Sequence, residues 1–277
     1  MSISPENLVD VATHRCVSLS ALFGRFRSTT RRKDASLHRA RIRRSSRFLV
    51  LLLLLLLAIS AFAQAGEKMS VIEIIGPGKA PVSARNLVAL CRKYKVPTSG
   101  IYRWQNHLIA YGKTASIQAL QKNLAAVYTG SEVKLYAVPF YKFDRQHCTD
   151  KTTAKQWDNI ILTANLVKDS KKQQEYLNHH ATQFQQWPEV AQGFCRASFQ
   201  QLLVFRQGRQ LMLVISIPHG ASLDELNPKT SLNNPRVNDW NALMKQYQEG
   251  LPGTKPGEVW VFLKPAVALK QQVLLKK

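Results

Sequence analysis

Residues 175–190, EYLNHHATQFQQWPEV, gather a tyrosine, two adjacent histidines and a Trp-Pro-Glu turn into sixteen positions. On a helix, Tyr176 and His180 are four residues apart and share a face, while His179 points about a quarter turn away. An imidazole changes charge near neutral pH, and a phenol one turn earlier can orient it or hold a polar substrate beside it. The chemistry this pair suits is general acid–base proton transfer. Metal chemistry is not indicated, because adjacent helical histidines diverge and Glu175 and Glu189 do not give the His-Glu-x-x-His spacing. The chain also has no Gly-rich phosphate loop, no Gly-x-Ser-x-Gly elbow and no cysteine nucleophile in a supporting context. We expect no cofactor. Taken alone, a Tyr and a His one turn apart are more often an ordinary half-buried helix face.

The elements that must position this face begin after an unusual lead. Phe48–Ile59 is an apolar run too short to cross a bilayer comfortably, which takes about 20 residues. Arg41, Arg43, Arg44 and Arg47 precede it, and Ala61-Phe62-Ala63 follows it. A basic flank, a short apolar core and a small-x-small exit read as a secretory signal peptide. The expected protein is therefore secreted or periplasmic, without stable membrane association after cleavage, and residues 1–65 are set aside as lead and signal. The chain carries 39 Lys+Arg against 17 Asp+Glu. The first 63 residues hold 11 basic and 3 acidic residues, which leaves 28 against 14, scattered rather than clustered. Nucleic-acid readers show a basic stripe or patch, so no nucleic-acid partner is expected. Cys91, Cys148 and Cys195 remain beyond the lead, so at most one intrachain bridge can form, and the sequence does not say which.

From there the periodicity reads β-α-β-β-α-β twice. In the first half SVIEIIG (70–76) is a strand, SARNLVALCRKYKV (83–96) a helix and GIYRWQNHLIAYG (100–112) a hairpin; TASIQALQKNLAAVY (114–128) is a helix and SEVKLYAVPFYKF (131–143) a strand. In the second, NIILTANLV (159–167) is a strand and residues 170–187 a helix capped by Ser170. QQLLVFRQGRQLMLVISI (200–217) is a hairpin, NPRVNDWNALMKQYQ (234–248) a helix and EVWVFLK (258–264) a strand. IYRWQNHLIAY echoes VFRQGRQLMLV at equivalent places. The expected fold is α+β, two tandem ferredoxin-like (split βαβ) domains paired as an intrachain pseudo-dimer of the dimeric α+β barrel type. The expected boundaries are 66–145 for the first domain, 146–157 for a polar linker, 158–265 for the second domain and 266–277 for a tail. The first domain's leading helix lacks a histidine, and no site is expected there.

EYLNHHATQFQQWPEV, followed by VFRQGRQLMLVISI and NNPRVNDWNALMKQYQEGLPGTKPGEVWVFL, resembles the L-rhamnose mutarotase family over about residues 157–265. The resemblance implies a ferredoxin-like fold that pairs as a dimer, here within one chain or between two. It implies a monosaccharide substrate and interconversion of the α and β anomers of L-rhamnose or a related aldose. It makes His180 the proton donor and acceptor, Tyr176 a sugar-binding neighbour, and Trp187 and Trp240 flat faces for the ring. Four departures from the family stand out. Three extra residues separate His180 from Trp187. Leu202 occupies the place of a pocket tyrosine, and Asn241 the place of a second tryptophan. PHGASLDELNPKTSL is inserted before the second helix. The competing expectations are a non-catalytic sugar-binding or scaffold protein that keeps the fold and, more remotely, an oxygenase of the same architecture.

Overall fold

The computed structural model describes residues 67–267. The signal-peptide reading and most of the expected tail lie outside the described residues. The described residues form one compact unit. Among the described residues, no helix is long and apolar enough to cross a membrane.

The first half runs β1 (Met69–Ile75), α1 (Ala84–Lys93), β2 (Ile101–Trp104), β3 (His107–Lys113), α2 (Thr114–Val127) and β4 (Glu132–Tyr136). Its strands lie antiparallel in the order β2-β3-β1-β4. Alternation along β1 sets two faces: Ile72 and Ile74 pack under Leu87, Cys91, Ile117, Leu120 and Leu124 of the two helices, whereas Val71 turns to the other side. The second half runs β6 (Trp157–Leu166), α3 (Ser170–Ala181), α4 (Gln183–Gln186), α5 (Pro188–Arg196), β7 (Gln201–Gln207) and β8 (Gln210–Pro218). It continues through α6 (Leu223–Leu226), α7 (Pro228–Ser231), α8 (Pro235–Lys245), β9 (Gln248–Glu249) and β10 (Val261–Phe262). The order β10-β6-β8-β7 repeats that of the first sheet, with β9 pairing β6 off this path.

Both closing strands depart from the sequence reading. The segment 131–143 is two strands in two sheets: β4 ends at Tyr136, and β5 (Tyr141–Asp144) pairs with β7 of the second sheet. Pro139 lies in the break, where its missing N–H and the restriction on Val138 favour leaving a ladder. The chain thus changes sheets before the segment expected as a linker. Conversely, the expected strand 258–264 is cut short. Only Val261–Phe262 pairs with β6, and β11 (Lys264–Pro265) returns to the first sheet beside β2. Each half lends its last residues to the other's edge.

The sheet faces turned away from the helices meet in a common core. Val71, Tyr102, Ile109, Tyr111 and Tyr136 from one sheet pack with Ile161, Leu203, Phe205, Met212, Val214 and Leu263 from the other segments. The Tyr102 hydroxyl donates to the Asn159 carbonyl across this layer at 2.8 Å. Among the described residues the one bridge is Cys148–Cys195, which ties the turn after β5 to α5, while Cys91 is a buried free thiol whose pKa burial pushes up to about 12.

Candidate active site

The helix carrying the Tyr-His pair is shorter than its pattern and starts differently. Asp169, not Ser170, is its N-cap: its carboxylate accepts from the amides of Lys171 at 2.8 Å and Lys172 at 3.1 Å, a charged acceptor at the positive end of the helix. The helix ends at Ala181, where Thr182 leaves helical geometry and its hydroxyl donates back to the Asn178 carbonyl at 3.1 Å. A separate turn, α4, then precedes the Trp-Pro-Glu segment. Tyr176 and His180 both face the sheet and are buried, with ring centroids 4.3 Å apart.

His180 is held on every side. Its Nδ1 lies 3.0 Å from the Tyr176 carbonyl, which can only accept, so the neutral ring carries its proton there and Nε2 is the basic nitrogen. Trp240 of α8 meets it edge-on at 5.3 Å, and Tyr141 of β5 at 5.1 Å. Burial lowers its pKa from 6.5 to about 4, against a smaller opposing pull from the Tyr176 carbonyl, so the ring is neutral at pH 7. Tyr176 is pushed the other way by burial and stays a phenol; its hydroxyl accepts from Gln248 Nε2 at 3.1 Å, which leaves its proton free to donate. His179 turns aside to the Tyr247 hydroxyl, 3.1 Å away.

Tyr141, Tyr176, His180, Trp240 and Gln248 line a cavity of about 460 Å³ between helices and sheet. Trp240, Trp260, Leu202 and Ile215 form apolar walls, with Asn241 and Lys245 at its edge. Of the residues predicted from sequence, Tyr176, His180 and Trp240 converge here. Trp187 does not line the cavity. It stands behind Trp240 at 5.6 Å with the Arg236 guanidinium 3.9 Å over its ring, because the extra turn α4 carries the Trp-Pro-Glu segment onto the back of α8. The sequence reading missed Trp260 and Gln248. Trp260 donates from Nε1 to Gln248 Oε1 at 3.1 Å, and Gln248 in turn donates to Tyr176, so β9 links the closing tryptophan to the phenol. The Gly-Glu-x-Trp motif at 257–260 was the available signal. The insertion forms α6 and α7 and docks on α5 so closely that a Cβ on Gly193 would meet the Thr230 carbonyl oxygen at 2.4 Å.

The arrangement offers a neutral imidazole nitrogen, a phenolic donor and aromatic faces in a largely apolar cavity. That can move a proton between two oxygens of one small polyhydroxylated molecule. Among the described residues, no group of three or more His, Cys, Asp or Glu side chains is gathered as a metal site would require.

Residues 140–266 match the model of a family described as L-rhamnose mutarotase. A stretch of 75 residues, 27% of this chain, is 35% identical to an L-fucose mutarotase of Xanthomonas campestris pv. campestris. The chain spans 58% of that relative's length. Among solved structures, a candidate monooxygenase from Fusobacterium nucleatum superposes with a TM-score of 0.36 at 9% identity, covering 73% of this chain and 92% of that one. A second, from Lactobacillus acidophilus, gives 0.39 at 7% identity over 71% and 92%.

Proposed function

We propose, from the match of residues 140–266 to the L-rhamnose mutarotase family model, that the protein is a mutarotase of 6-deoxy aldoses such as L-fucose and L-rhamnose. One observation carries the reading. The Tyr176 carbonyl fixes the His180 proton on Nδ1, leaving Nε2 as the base of a cavity walled by Trp240 and Trp260. In the reaction, His180 Nε2 takes the proton of the anomeric hydroxyl. The C1–O1 bond becomes a carbonyl as the C1–O5 bond breaks. The Tyr176 hydroxyl donates a hydrogen bond to the departing ring oxygen, which then receives the proton back from the imidazolium. Rotation about C1–C2 and the reverse steps give the other anomer, with no net proton gained or lost. General acid–base assistance of this kind contributes about 10²–10⁴-fold, enough to matter for an exchange that also occurs unaided in water. The apolar wall at Leu202 and Ile215 suits the methyl group of a deoxy sugar better than a hydroxymethyl.

Several finer readings go with it. The matching strand orders support two tandem ferredoxin-like domains paired as a pseudo-dimer, which makes a monomer with one His180 cavity per chain the expected unit. Export to a secreted or periplasmic location is supported by the basic, apolar and small-residue series at 41–63 and by the Cys148–Cys195 bridge. A second reading, a sugar-binding protein without catalysis, is favoured by Leu202 standing where the family resemblance implies a tyrosine.

The test is magnetisation-exchange NMR on the anomers of L-fucose and L-rhamnose, with the wild-type protein and His180→Ala. Acceleration by wild type and none by the variant supports the mutarotase. Binding of either sugar without acceleration moves the assignment to the binding protein.

A further inference from the structure

The two halves bury different groups at equivalent positions between the sheets. In the first, Glu73 pairs with Ile109 and His107 with Ile75; in the second, Thr163 pairs with Met212 and Gln210 with Asn165. Glu73 and Thr163 are thus counterparts, as are His107 and Gln210. Glu73 is completely buried. Its Oε1 lies 2.7 Å from His107 Nδ1 and accepts from Gln210 Nε2 at 3.0 Å, and its Oε2 accepts from the Tyr136 hydroxyl at 2.8 Å. Removing a carboxylate from water is costly even after relaxation. Thr163 shows that the same strand position folds without a charge.

What the carboxylate does is orient the imidazole. With Nδ1 held against Glu73, the His107 ring lines a cleft of about 850 Å³ between the tips of the β2–β3 and β7–β8 hairpins. This cleft shares no lining residue with the cavity around His180. Lys79, Lys134 and Arg209 stand on its walls against one carboxylate, Glu132. Lys134 is held at 3.0 Å by Gln210 Oε1 and lies 3.6 Å from the Glu132 carboxylate, and Arg209 is ion-paired with Glu249 at 2.8 Å, so two of the cations are fixed beside carboxylate partners that an incoming anion must share. Asn106, Asn165 and Gln207 add side-chain amides, which both donate and accept.

We propose that this cleft is a second binding site, for an aldose carrying a carboxylate, with His107 as its central hydrogen-bonding group. The cations take the carboxylate, and the amides and His107 Nε2 take the hydroxyls. The volume is far larger than a bare inorganic anion fills, and the lining has no aromatic stacking wall for a planar ring.

Calorimetric titration of the full chain with D-galacturonate tests this, with inorganic phosphate and L-fucose as comparison ligands. Galacturonate should bind, and more weakly as salt rises. Lys134→Gln and His107→Gln should each weaken it at least tenfold, and His180→Ala should leave it unchanged. Because His107 touches a buried carboxylate, its variant is checked by circular dichroism. The exposed Lys79→Glu, which threatens no core contact, should also weaken binding. Absence of galacturonate binding, phosphate binding as tightly, or loss of binding in His180→Ala each overturns the proposal.

Discussion

The two halves repeat one strand order yet carry their histidine-centred clusters on opposite sides of their sheets. In the first, α1 and α2 press Leu87, Cys91, Ile117, Leu120 and Leu124 onto the sheet, all with no exposure. In the second, α3 and α8 place Tyr176, His180 and Trp240 there, and a cavity remains. Between the sheets the roles reverse, with Glu73, His107 and Tyr136 on the first half opposite Thr163, Gln210 and Leu263 on the second. A shared backbone therefore does not fix where chemistry sits. A handful of side chains on either face of a sheet decide it, and fold alone would have placed equal sites in both halves.

The comparison can be broken or sharpened at several points. The largest stability effect should come from the Cys148–Cys195 bridge, present only in the second half. It closes 47 residues of chain, and loop entropy puts its contribution on the order of 4 kcal/mol. Urea denaturation of the Cys148→Ser/Cys195→Ser double variant should show a loss of that size. An unchanged midpoint would mean that the bridge constrains nothing the fold does not already hold.

Next, Leu87→Ala should cost about 2–5 kcal/mol, as deletion in a filled core does. Leu202→Ala, already beside a cavity, should fall at or below the low end of that range. Equal losses would mean that the second half's helix–sheet layer is as tightly filled as the first's.

The pH response should also single out the second half. His180 titrates near 4 folded and 6.5 unfolded. Between those values the unfolded chain binds a proton that the folded chain does not. Stability from this group is therefore full above pH 6.5, falls as pH drops toward 4 and then levels off, by on the order of 3 kcal/mol in all. Unfolding of His180→Gln measured from pH 7 to 4 should lack that slope. Catalysed exchange should hold steady from pH 8 to 5 and decline below about 4, once Nε2 is protonated. The smallest effect expected is that of Tyr176→Phe, which removes one hydrogen bond to the ring oxygen, worth about 1 kcal/mol. A several-fold drop in rate with little change in sugar affinity would fit; an unchanged rate would remove Tyr176 from the reaction.

Much of this was legible in the sequence where pattern and contact coincide. Alternation in SVIEIIG and the echo of the two hairpins anticipated the element order, and the four-residue spacing of Tyr176 and His180 anticipated their shared face. The misses have physical causes. Residues 131–143 read as one strand because hydrophobicity continues through Val138 and Phe140, yet Pro139 cannot donate to a ladder and the chain changes sheets there. Trp187 looked like a pocket wall because the turn at Thr182, which sends it behind Trp240, depends on a hydroxyl bonding its own helix. Gln248 and Trp260 reach Tyr176 only through the pairing of β9 with β6, a contact between distant segments. Glu73 and His107 sat 34 residues apart with nothing local to join them.

The measurement that bears most directly on the division between the halves is anomer exchange of L-fucose by magnetisation-transfer NMR, with His180→Gln and His107→Gln side by side. A loss of about 10²-fold or more of the catalysed rate in the first variant, and a wild-type rate in the second, is the predicted result. Exchange that survives in His180→Gln and disappears in His107→Gln would place the chemistry between the sheets and contradict the account.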